Sequence, residues 1–406
     1  MKVLIVNAGS SSLKYQLFDT AAGTVIAKGI VECIGRHDSR ITHKDAVKAP
    51  FKREFPCPDH SVATEYVISV LTDKVDGCIA DMSEIEAVGH RIVHGGPNLI
   101  ESCLIDDSVI AELEHCNELG YAPVHTKGHL MGIRGCQKVM PNVPQICVFD
   151  TAFHQTMPPE AYYYPIPYEL YEKYKIRRYG FHGTSHRFVS GEMCKILGKV
   201  EGTKIITCHL GNGSSISAIK DGKVIDTSMG FTPLDGVEMG TRCGSIDPSI
   251  VTFIMDKENM TPAEMSEFMN KKCGFIGVSG LSDDSRDIEN AIEQGGNFRA
   301  ELTAKILAYQ IKKYIGGYTA AMNGLDAIVF TAGMGENNPQ LRERVCTDME
   351  YFGIEIDKEL NAVSHHQPNI VKLSTDNSKV LVYLIPTNEE LVIASDTEKI
   401  ALAQKK

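Results

Sequence analysis

Three glycine-rich turns are the segments of this sequence best suited to hold an anion. They span residues 7–12, 210–215 and 331–337, and each combines glycine with polar side chains. Glycine lets backbone N–H groups approach a phosphate closely, and a small hydroxyl adds a donor without blocking that approach. The motifs of P-loop NTPases, Rossmann dehydrogenases, zincins and serine hydrolases are absent, which argues against those classes. The three turns together predict a site for the phosphates of a nucleotide.

Cationic and acidic residues near glycine suggest what else such a site would contain. Residues 89–97, 177–186 and 239–242 place arginine and histidine among glycines. An exposed basic face would explain any one of these segments, but a guanidinium in a glycine-rich turn suits bidentate binding of carboxylate or phosphate. Asp150 follows an apolar run and Glu389 begins a predicted helix, so both could supply oxygen ligands to magnesium. Glu389 could equally be a first-turn partner of the helix dipole.

The elements that must position these residues repeat one pattern. Residues 3–17 and 205–219 each read as a strand, a Gly/Ser turn and a second strand. Asp221-Gly222 predicts a tight hairpin into a third strand. A further buried strand at 327–330 runs directly into the third glycine turn, which is where α/β folds bind phosphates. The repeat favours two related domains, with two unrelated hairpins as the alternative.

Helical periodicity separates these strands. It predicts helices at 59–74, 298–322 and 389–403, and residues 261–264 have the order of a capping box. A last strand is expected at 380–385. The predicted inward stripe of the long helix consists of Leu302, Ile306 and Tyr309.

Composition limits the class of protein. The 406 residues suffice for two to three domains, and 43% hydrophobic with 23% charged residues indicates a soluble globular chain. The net charge of −11 argues against broad binding to nucleic acid or an anionic membrane. The 12 cysteines include no C-x-x-C pair and are expected as buried thiols in a reducing compartment. The N-terminal apolar run ends at Asn7, too short for a signal peptide, so a cytoplasmic location is predicted.

Several longer motifs resemble one known family. They are VLIVNAGSSSLKYQLFD (3–19), GHRIVHGG (89–96), VFDTAFHQTMP (148–158), YGFHGTSH (179–186), HLGNGSS (209–215), MGFTPLDGVEMGTR (229–242), FTAGMGENNPQLR (330–342) and PTNEEL (386–391). From end to end the chain resembles the acetokinase family of the sugar kinase, actin and heat-shock chaperone superfamily. The resemblance implies an α/β fold of two ribonuclease-H-like (actin-like ATPase) domains, with mixed sheets flanked by helices and a cleft between them.

The implied domains are residues 1–150 with 390–406, and residues 151–389. The implied reaction is the reversible, magnesium-dependent, in-line transfer of a phosphoryl group from ATP to acetate, giving acetyl phosphate and ADP. The implied partners are these small molecules and a second copy of the chain, without nucleic acid or membrane.

The resemblance also assigns roles to individual residues. The implied catalytic residues are Asp150, His182 and Arg242. Acetate would be bound by Arg91, Val93, Phe181 and Pro233. Magnesium, or manganese in its place, would be held by Asn7 and Glu389. The nucleotide would be bound by Lys14, His209, Leu210, Gly211, Asn212, Gly213, Asp284, Ser285, Arg286, Ala332, Gly333, Met334, Gly335 and Glu336.

Phosphoryl transfer depends on positioning and charge neutralisation more than on covalent help. Arg91 and Arg242 are therefore expected to orient acetate and steady the transferred group, with His182 as a further donor. Acetate is already ionised, so Asp150 is expected to order a magnesium-bound water and the arginines rather than act as a general base. An actin-like or chaperone-like ATPase, the alternative from another class, has no use for such cations in its cleft.

Departures from the family pattern define the nearer alternatives. Residues 242–245 read Arg-Cys-Gly-Ser where the family usually has Arg-Ser-Gly-Asp, and residues 284–287 read Asp-Ser-Arg-Asp where it has Asp-Phe-Arg-Asp. Val124 replaces a leucine beside the expected acyl pocket, leaving room for one more methylene at about 1–3 kcal/mol of discrimination. A propionate or other short-chain acyl kinase, or a kinase with a different phosphoryl donor, remains open, as does redox sensitivity of Cys243.

Overall fold

The computed structural model describes residues 1–121 and 123–404, without the side chains of Pro123 and Val124. The prediction made for the Val124 side chain and the last two residues of the predicted 390–406 segment therefore lie outside the described residues. The chain divides into two compact units, unit 1 (Met1–Ala152 and Asn388–Lys406) and unit 2 (Phe153–Thr387). None of the described helices has the length and apolarity needed to cross a membrane.

In the described residues of its N-terminal segment, unit 1 contains a mixed sheet and three α-helices. Its described strands are β1 (Lys2–Ala8), β2 (Ser12–Asp19), β3 (Thr24–Glu32), β4 (Arg40–Asp45), β5 (Phe51–Glu54), β6 (Ala87–Ile92), β7 (Cys103–Leu104) and β8 (Gln145–Phe149). Its helices are α1 (His60–Leu71), α2 (Asp107–Glu118) and α3 (Pro123–Val139). The strand order is β5-β4-β3-β2-β1-β6-β8-β7.

Unit 2 contains a second mixed sheet with more helices around it. Its strands are β9 (Lys204–Leu210), β10 (Ser214–Lys220), β11 (Lys223–Thr227), β12 (Ala327–Thr331), β13 (Val371–Lys372) and β14 (Leu381–Leu384), in the order β11-β10-β9-β12-β14-β13. Its helices are α4 (Pro159–Tyr162), α5 (Tyr168–Tyr174), α6 (Gly183–Leu197), α7 (Pro248–Glu258), α8 (Pro262–Lys271), α9 (Gly274–Ser279), α10 (Ser285–Glu293), α11 (Phe298–Met322), α12 (Ala332–Asn337), α13 (Pro339–Cys346) and α14 (Lys358–Val363). The chain then returns to unit 1 through α15 (Glu389–Gln404).

The two sheets share one topology. In unit 1, β1 pairs antiparallel with β2 and parallel with β6, and β6 pairs parallel with β8. In unit 2, β9 pairs antiparallel with β10 and parallel with β12, and β12 pairs parallel with β14. The predicted α/β class, the repeated strand-turn-strand pattern and the hairpin at Asp221-Gly222 are confirmed.

Helices cover both faces of each sheet, as alternation along the central strands requires. On β1, Leu4 and Val6 pack in the core formed with α1 and α3, whereas Val3 and Ile5 pack against α15. In unit 2, α11 packs on one face of β9 and α6 on the other. Gly89 of β6 allows the close approach of α15, because a Cβ there would overlap the Thr397 hydroxyl.

The long helix α11 has the predicted ends but a different inward face. Leu302 and Tyr309 of the predicted stripe are 37% and 66% exposed, so this part of the prediction was wrong. The side chains that point into the core instead include Leu307, Ile311 and Ile315, together with smaller alanine and threonine residues. Small residues let the helix lie close to the sheet, which buries more of its backbone and its larger side chains.

One buried arginine ties the segments after β12 together. The Arg342 guanidinium of α13 is fully buried and donates hydrogen bonds to the carbonyls of Gly335, Glu336, Asn361 and Ser364 and to Oδ1 of Asn361. Burial lowers the Arg342 pKa to about 10, so the side chain remains charged at neutral pH. The Arg342 guanidinium therefore holds the Gly335 and Glu336 carbonyls of the glycine turn from the interior of the protein.

Replacing Gly89 tests the packing of α15. Gly89→Ala should lower stability by about 1–3 kcal/mol, because its Cβ would press on Thr397 and Ile393. Thr397→Ala removes the obstructing hydroxyl, which has no hydrogen-bond partner among the described residues, so the double variant should recover most of the loss. Thermal unfolding measures both, with Gly191→Ala, which meets no neighbour, as the control. Equal losses in the single and double variants would contradict this packing.

Replacing Arg342 tests the hydrogen bonds beneath the glycine turn. Arg342→Met leaves several buried oxygen acceptors without donors and should cost about 3–5 kcal/mol, read from urea unfolding. Arg344→Met is the matched control, two residues further along the same helix, because Arg344 pairs with Glu289 closer to the surface and should cost about 1 kcal/mol or less. Similar losses in both variants would show that Arg342 has no special role.

Candidate active site

Unit 1 gathers three predicted site residues at one edge of its sheet. Asn7 is near the end of β1, Arg91 near the end of β6, and Asp150 directly follows β8. These strands are parallel neighbours, with Val6 opposite His90 and the Asp150 N–H bonded to the Ile92 carbonyl. Parallel strands end at the same edge, so residues far apart in sequence meet there.

Arg91 is held between two carboxylates. Its Nε and Nη2 donate to the two oxygens of Asp150 at 3.0 and 2.9 Å, and its Nη1 donates to Glu389 Oε2 at 3.4 Å. Burial would lower the Arg91 pKa, but the charges of Asp150 and Glu389 outweigh burial and raise it. Among the described residues these bonds use three of the five guanidinium N–H groups, which leaves two for a carboxylate ligand.

The donor set at this edge suits magnesium. Asn7 and Glu389 offer an amide oxygen and a carboxylate, and both belong to unit 1. Within the described chain no group of three or more His, Cys, Asp and Glu side chains could hold a metal by itself. Magnesium commonly takes one or two protein carboxylates and completes its shell with water and substrate phosphates, so this donor set fits that ion.

Lys14 lies beside this edge, opposite Asn7 in the β1–β2 register. It lines a cavity of about 360 Å³ on unit 1 together with Asn7, Lys28 and Lys44. All three lysines are exposed, and cross-strand pairing places them on one face of the sheet. Sequence reasoning missed Lys28 and Lys44, although strand alternation combined with the correct register would have found them.

Val93 is the predicted acetate residue in unit 1. Its N–H donates to Nε2 of His129 at 3.2 Å. Burial, followed by the nearby His125, lowers the His129 pKa to about 3, so the ring is a neutral acceptor. His129 was not singled out from the sequence, because no local sequence pattern indicates which residue of α3 contacts the segment after β6.

Unit 2 brings three predicted nucleotide segments into one cavity. The cavity measures about 560 Å³, within the range of small-molecule sites. Predicted residues in its lining are Gly211, Asn212, Asp284, Ser285, Arg286, Gly333 and Met334. The predicted residues His209, Leu210, Gly213, Ala332, Gly335 and Glu336 adjoin these segments but are not part of the lining. Phe275, Asn337, Asn338 and His366 line the cavity and were missed. Ser285 stands where the family usually has phenylalanine, and Phe275 places an aromatic ring in the same cavity.

The turn after β12 is fixed from within. Ala332 has a φ of +65°, a left-handed conformation that costs a non-glycine residue free energy. One oxygen of Glu336 accepts hydrogen bonds from the N–H groups of Ala332 and Thr387 at 2.9 and 3.1 Å. Glu336 therefore positions the turn in this structure, and any contact with a nucleotide remains a prediction.

Asp284 and Arg286 form the rim at the start of α10. Asp284 caps the helix and also pairs with the Arg286 guanidinium. The hydrogen bond from Arg286 is the main cause that lowers the Asp284 pKa. Arg286 is 83% exposed, so its side chain is available to an anionic ligand.

His182 stands at the end of a chain of polar groups. It has a φ of +58° and immediately precedes α6. His182 Nδ1 lies 2.8 Å from Ser215 Oγ, which lies 2.7 Å from His186 Nε2, and His186 Nδ1 lies 2.7 Å from Thr207 Oγ1. Burial drives the His186 pKa well below its ordinary value, so His186 carries one ring proton. The Ser215 hydroxyl can both donate and accept, so the hydrogen bonds that it makes influence which nitrogen of His182 carries a proton.

His182 and Arg242 approach the same glycine. A Cβ on Gly213 would lie 3.4 Å from Arg242 Nη1 and 3.6 Å from His182 Nε2. Arg242 Nη1 donates to the Pro233 carbonyl at 3.0 Å, and burial lowers the Arg242 pKa. The His209 ring stacks on His182 with 4.1 Å between ring centres. A guanidinium and an imidazole nitrogen thus lie beside a position that glycine keeps open.

Other predicted cations have structural partners. Arg178 donates to the carbonyls of Thr227, Ser228 and Met229 and pairs with Asp235, while Arg177 stacks on a tyrosine ring. These contacts give both arginines a structural role, and ligand binding by residues 177–186 stays a prediction. Phe181, a predicted acetate residue, is almost fully buried.

Comparison with known proteins agrees along the whole chain. A model of the Acetokinase family matches residues 2–395. The chain is 55% identical over 406 residues to the acetate kinase of Thermoanaerobacter pseudethanolicus, covering 100% of both, and 53% identical to that of Methanosarcina barkeri, covering 100% and 98%.

Solved structures are equally similar. Porphyromonas gingivalis acetate kinase matches with a TM-score of 0.94 and 48% identity, over 98% of this chain and 99% of that one. A propionate kinase from Francisella tularensis matches with a TM-score of 0.90 and 37% identity over the same shares. The repeated fold, the residues gathered at its strand ends and these similarities lead to one conclusion: the chain belongs to the acetokinase family.

Proposed function

We propose that this protein is an acetate kinase, which transfers the γ-phosphoryl group of ATP to acetate and forms acetyl phosphate and ADP, reversibly. The observation that carries the proposal is the 55% identity over the full chain to a protein named acetate kinase. Within their own units, Arg91 on the one hand and His182 with Arg242 on the other place nitrogen atoms where an anion could bind, which supports the proposal.

The chemistry needs no proton transfer. An acetate oxygen attacks the γ-phosphorus in line, a new P–O bond forms, and the bond to the β-phosphate oxygen breaks with its electrons leaving on ADP. A carboxyl group of this kind is ionised at neutral pH, so Asp150 acts as a positioning residue. Its two hydrogen bonds fix the plane of Arg91, whose remaining N–H groups bind the acetate carboxylate.

Magnesium, when bound, neutralises charge on the phosphates, and manganese is the substitute. Asn7 and Glu389 would hold it, while Lys14 adds a further cation for phosphate. In unit 2, the turns after β9 and β12 bind the nucleotide through backbone N–H groups. His182 Nε2 and Arg242 donate to the oxygens of the transferred phosphoryl group, and Val93, Phe181 and Pro233 shape the acetate site.

Two proposals concern the context of the enzyme. We propose a homodimer, because one exposed stripe of α11 carries the apolar side chains of Phe298, Leu302 and Tyr309. We further propose that units 1 and 2 correspond to the two domains of the family and that the protein works in the cytoplasm, which suits its twelve free thiols.

Propionate kinase is the second candidate, favoured by the similarity to the Francisella tularensis enzyme. One methylene changes binding by about 1–3 kcal/mol, or roughly 10–200-fold. A substrate panel therefore separates the two candidates.

Trapping acyl phosphate with hydroxylamine tests the function. We expect the highest kcat/KM with ATP, magnesium and acetate, and lower values with propionate, butyrate, GTP or pyrophosphate. Arg91→Lys, which loses bidentate geometry, should raise the KM for acetate about tenfold or more while changing the KM for ATP little. Higher kcat/KM with propionate would favour the second candidate, and no product with any pair would contradict a kinase.

Removing Ser215 tests the chain of groups behind His182. Ser215→Ala should lower kcat by about 10–100-fold, by analogy with other supporting hydrogen bonds, and should shift the pH–rate profile because the His182 tautomer is no longer fixed. Ser217→Ala is the matched control on the same strand, since its hydroxyl contacts His154 and Thr227. Ser215→Thr retains the hydroxyl and should restore the profile. An unchanged profile in Ser215→Ala would remove the proposed role.

A further inference from the structure

Two cysteines of unit 2 lie side by side next to Arg242. Cys243 directly follows Arg242, and Cys273 directly precedes α9. Both side chains are half-buried rather than sealed in the core, and the Cys243 thiol donates to the Gly244 carbonyl at 3.2 Å. The pKa of each thiol depends on the other. The pair is therefore open enough for a small oxidant to reach.

The backbone holds the two segments together on both sides of the thiols. Cys243 N–H donates to the Met269 carbonyl, and Cys273 N–H donates to the Thr241 carbonyl, each at 3.1 Å. The Thr241 hydroxyl donates to the Asn270 carbonyl at 2.8 Å. These bonds keep the backbone at Cys243 and Cys273 adjacent without help from the thiols.

The segment that follows Cys273 packs even more closely against the residues that precede Arg242. The N–H groups of Phe275 and Ile276 donate to the carbonyls of Met239 and Gly240 at 2.9 and 3.1 Å. A Cβ on Gly274 would overlap the Met239 carbonyl. The loop that carries Arg242 therefore rests directly on the segment that carries Cys273.

The two thiols have different reactivity. Interaction with the Cys273 side chain lowers the pKa of Cys243, whereas interaction with Cys243, followed by burial, raises the pKa of Cys273. A thiolate is the reactive form toward oxidants. Cys243 is thus suited to react first, with Cys273 as the partner that completes the bond.

We propose that Cys243 and Cys273 form a reversible disulfide in the presence of a hydroperoxide, and that this modification slows the enzyme through Arg242. The Cys243 thiolate attacks a peroxide oxygen, the O–O bond breaks, and Cys243 becomes a sulfenic acid. The Cys273 sulfur then attacks the Cys243 sulfur, and the sulfenic oxygen leaves as water. In total, two thiols and one hydrogen peroxide give one disulfide and two waters.

Closing the bond moves the sulfur atoms. A disulfide has an S–S length of about 2.05 Å, shorter by about 1 Å or more than the separation of two non-bonded sulfur atoms, so the two thiols must draw together. Arg242 is covalently next to one of them. A displacement of about 1 Å in a positioning group can cost about 10²-fold in rate. The effect on turnover rests on the proposed role of Arg242, whereas formation of the disulfide does not.

The test oxidises the purified full-length protein with hydrogen peroxide, blocks remaining thiols with N-ethylmaleimide and analyses peptides by mass. We expect a linked pair of peptides containing Cys243 and Cys273, lighter by two hydrogens. We also expect kcat to fall about 10–100-fold and to recover with dithiothreitol. Activity before oxidation is recorded separately, so a failed kinase assay is distinguished from a failed disulfide.

Single replacements complete the test. Cys243→Ser, which restores the serine usual in the family, should keep its activity and resist peroxide. Cys273→Ser should stop at the sulfenic acid, which dimedone traps on Cys243. Cys103→Ser, at a half-buried thiol of unit 1, should remain as sensitive as the unaltered protein. Unlinked peptides after oxidation, or linked peptides with unchanged kcat, would overturn the proposal.

Discussion

Parallel pairing of three neighbouring strands determines where each unit can do chemistry, because such strands all end at one edge of the sheet. In unit 1 the edge formed by β1, β6 and β8 carries Asn7, Arg91 and Asp150. In unit 2 the corresponding strands β9, β12 and β14 have the same pairing, and two of them lead into glycine turns. One topology thus places charged side chains at the sheet edge in one unit and glycine turns in the other.

In both units the predicted site residues are held in place by neighbouring side chains. Arg91 stays charged although it is largely buried, because Asp150 and Glu389 compensate the loss of water. His182 depends on Ser215 and His186 in the same way, through hydrogen bonds that fix its ring. Groups held in place before a ligand arrives do not have to be reoriented during the reaction, which is the main source of electrostatic catalysis.

Local patterns in the sequence predicted a large part of this fold. The strand-turn-strand repeat, the Asp221-Gly222 hairpin and the ends of α11 follow from periodicity and turn chemistry, which act over a few residues. The buried face of α11 could not be chosen in this way, because Leu302 and Tyr309 compete with a stripe of smaller residues that fits the sheet. Packing decides between two such stripes.

The site residues also divide into those that a local sequence pattern indicates and those that depend on tertiary packing. The glycine turns and Arg91 are visible as local motifs, and their functional roles remain predictions. Ser215 behind His182, Phe275 in the cavity and Lys28 beside Lys14 depend on strand register and tertiary contact, for which a single sequence carries no signal. Arg178 shows the opposite case, since its motif suggested a ligand although its partners are carbonyls and carboxylates within unit 2.

The buried charge of Arg342 and the exposed charge of Arg286 respond differently to salt. Its charge lies beneath the turn after β12, bonded to carbonyls of that turn, and salt in solution screens a buried charge far less than an exposed one. Arg286 on the cavity rim is exposed, and its field is masked at physiological ionic strength beyond about 8 Å. Salt therefore weakens the field of Arg286 at the cavity rim more than the field of the buried Arg342 beneath the turn.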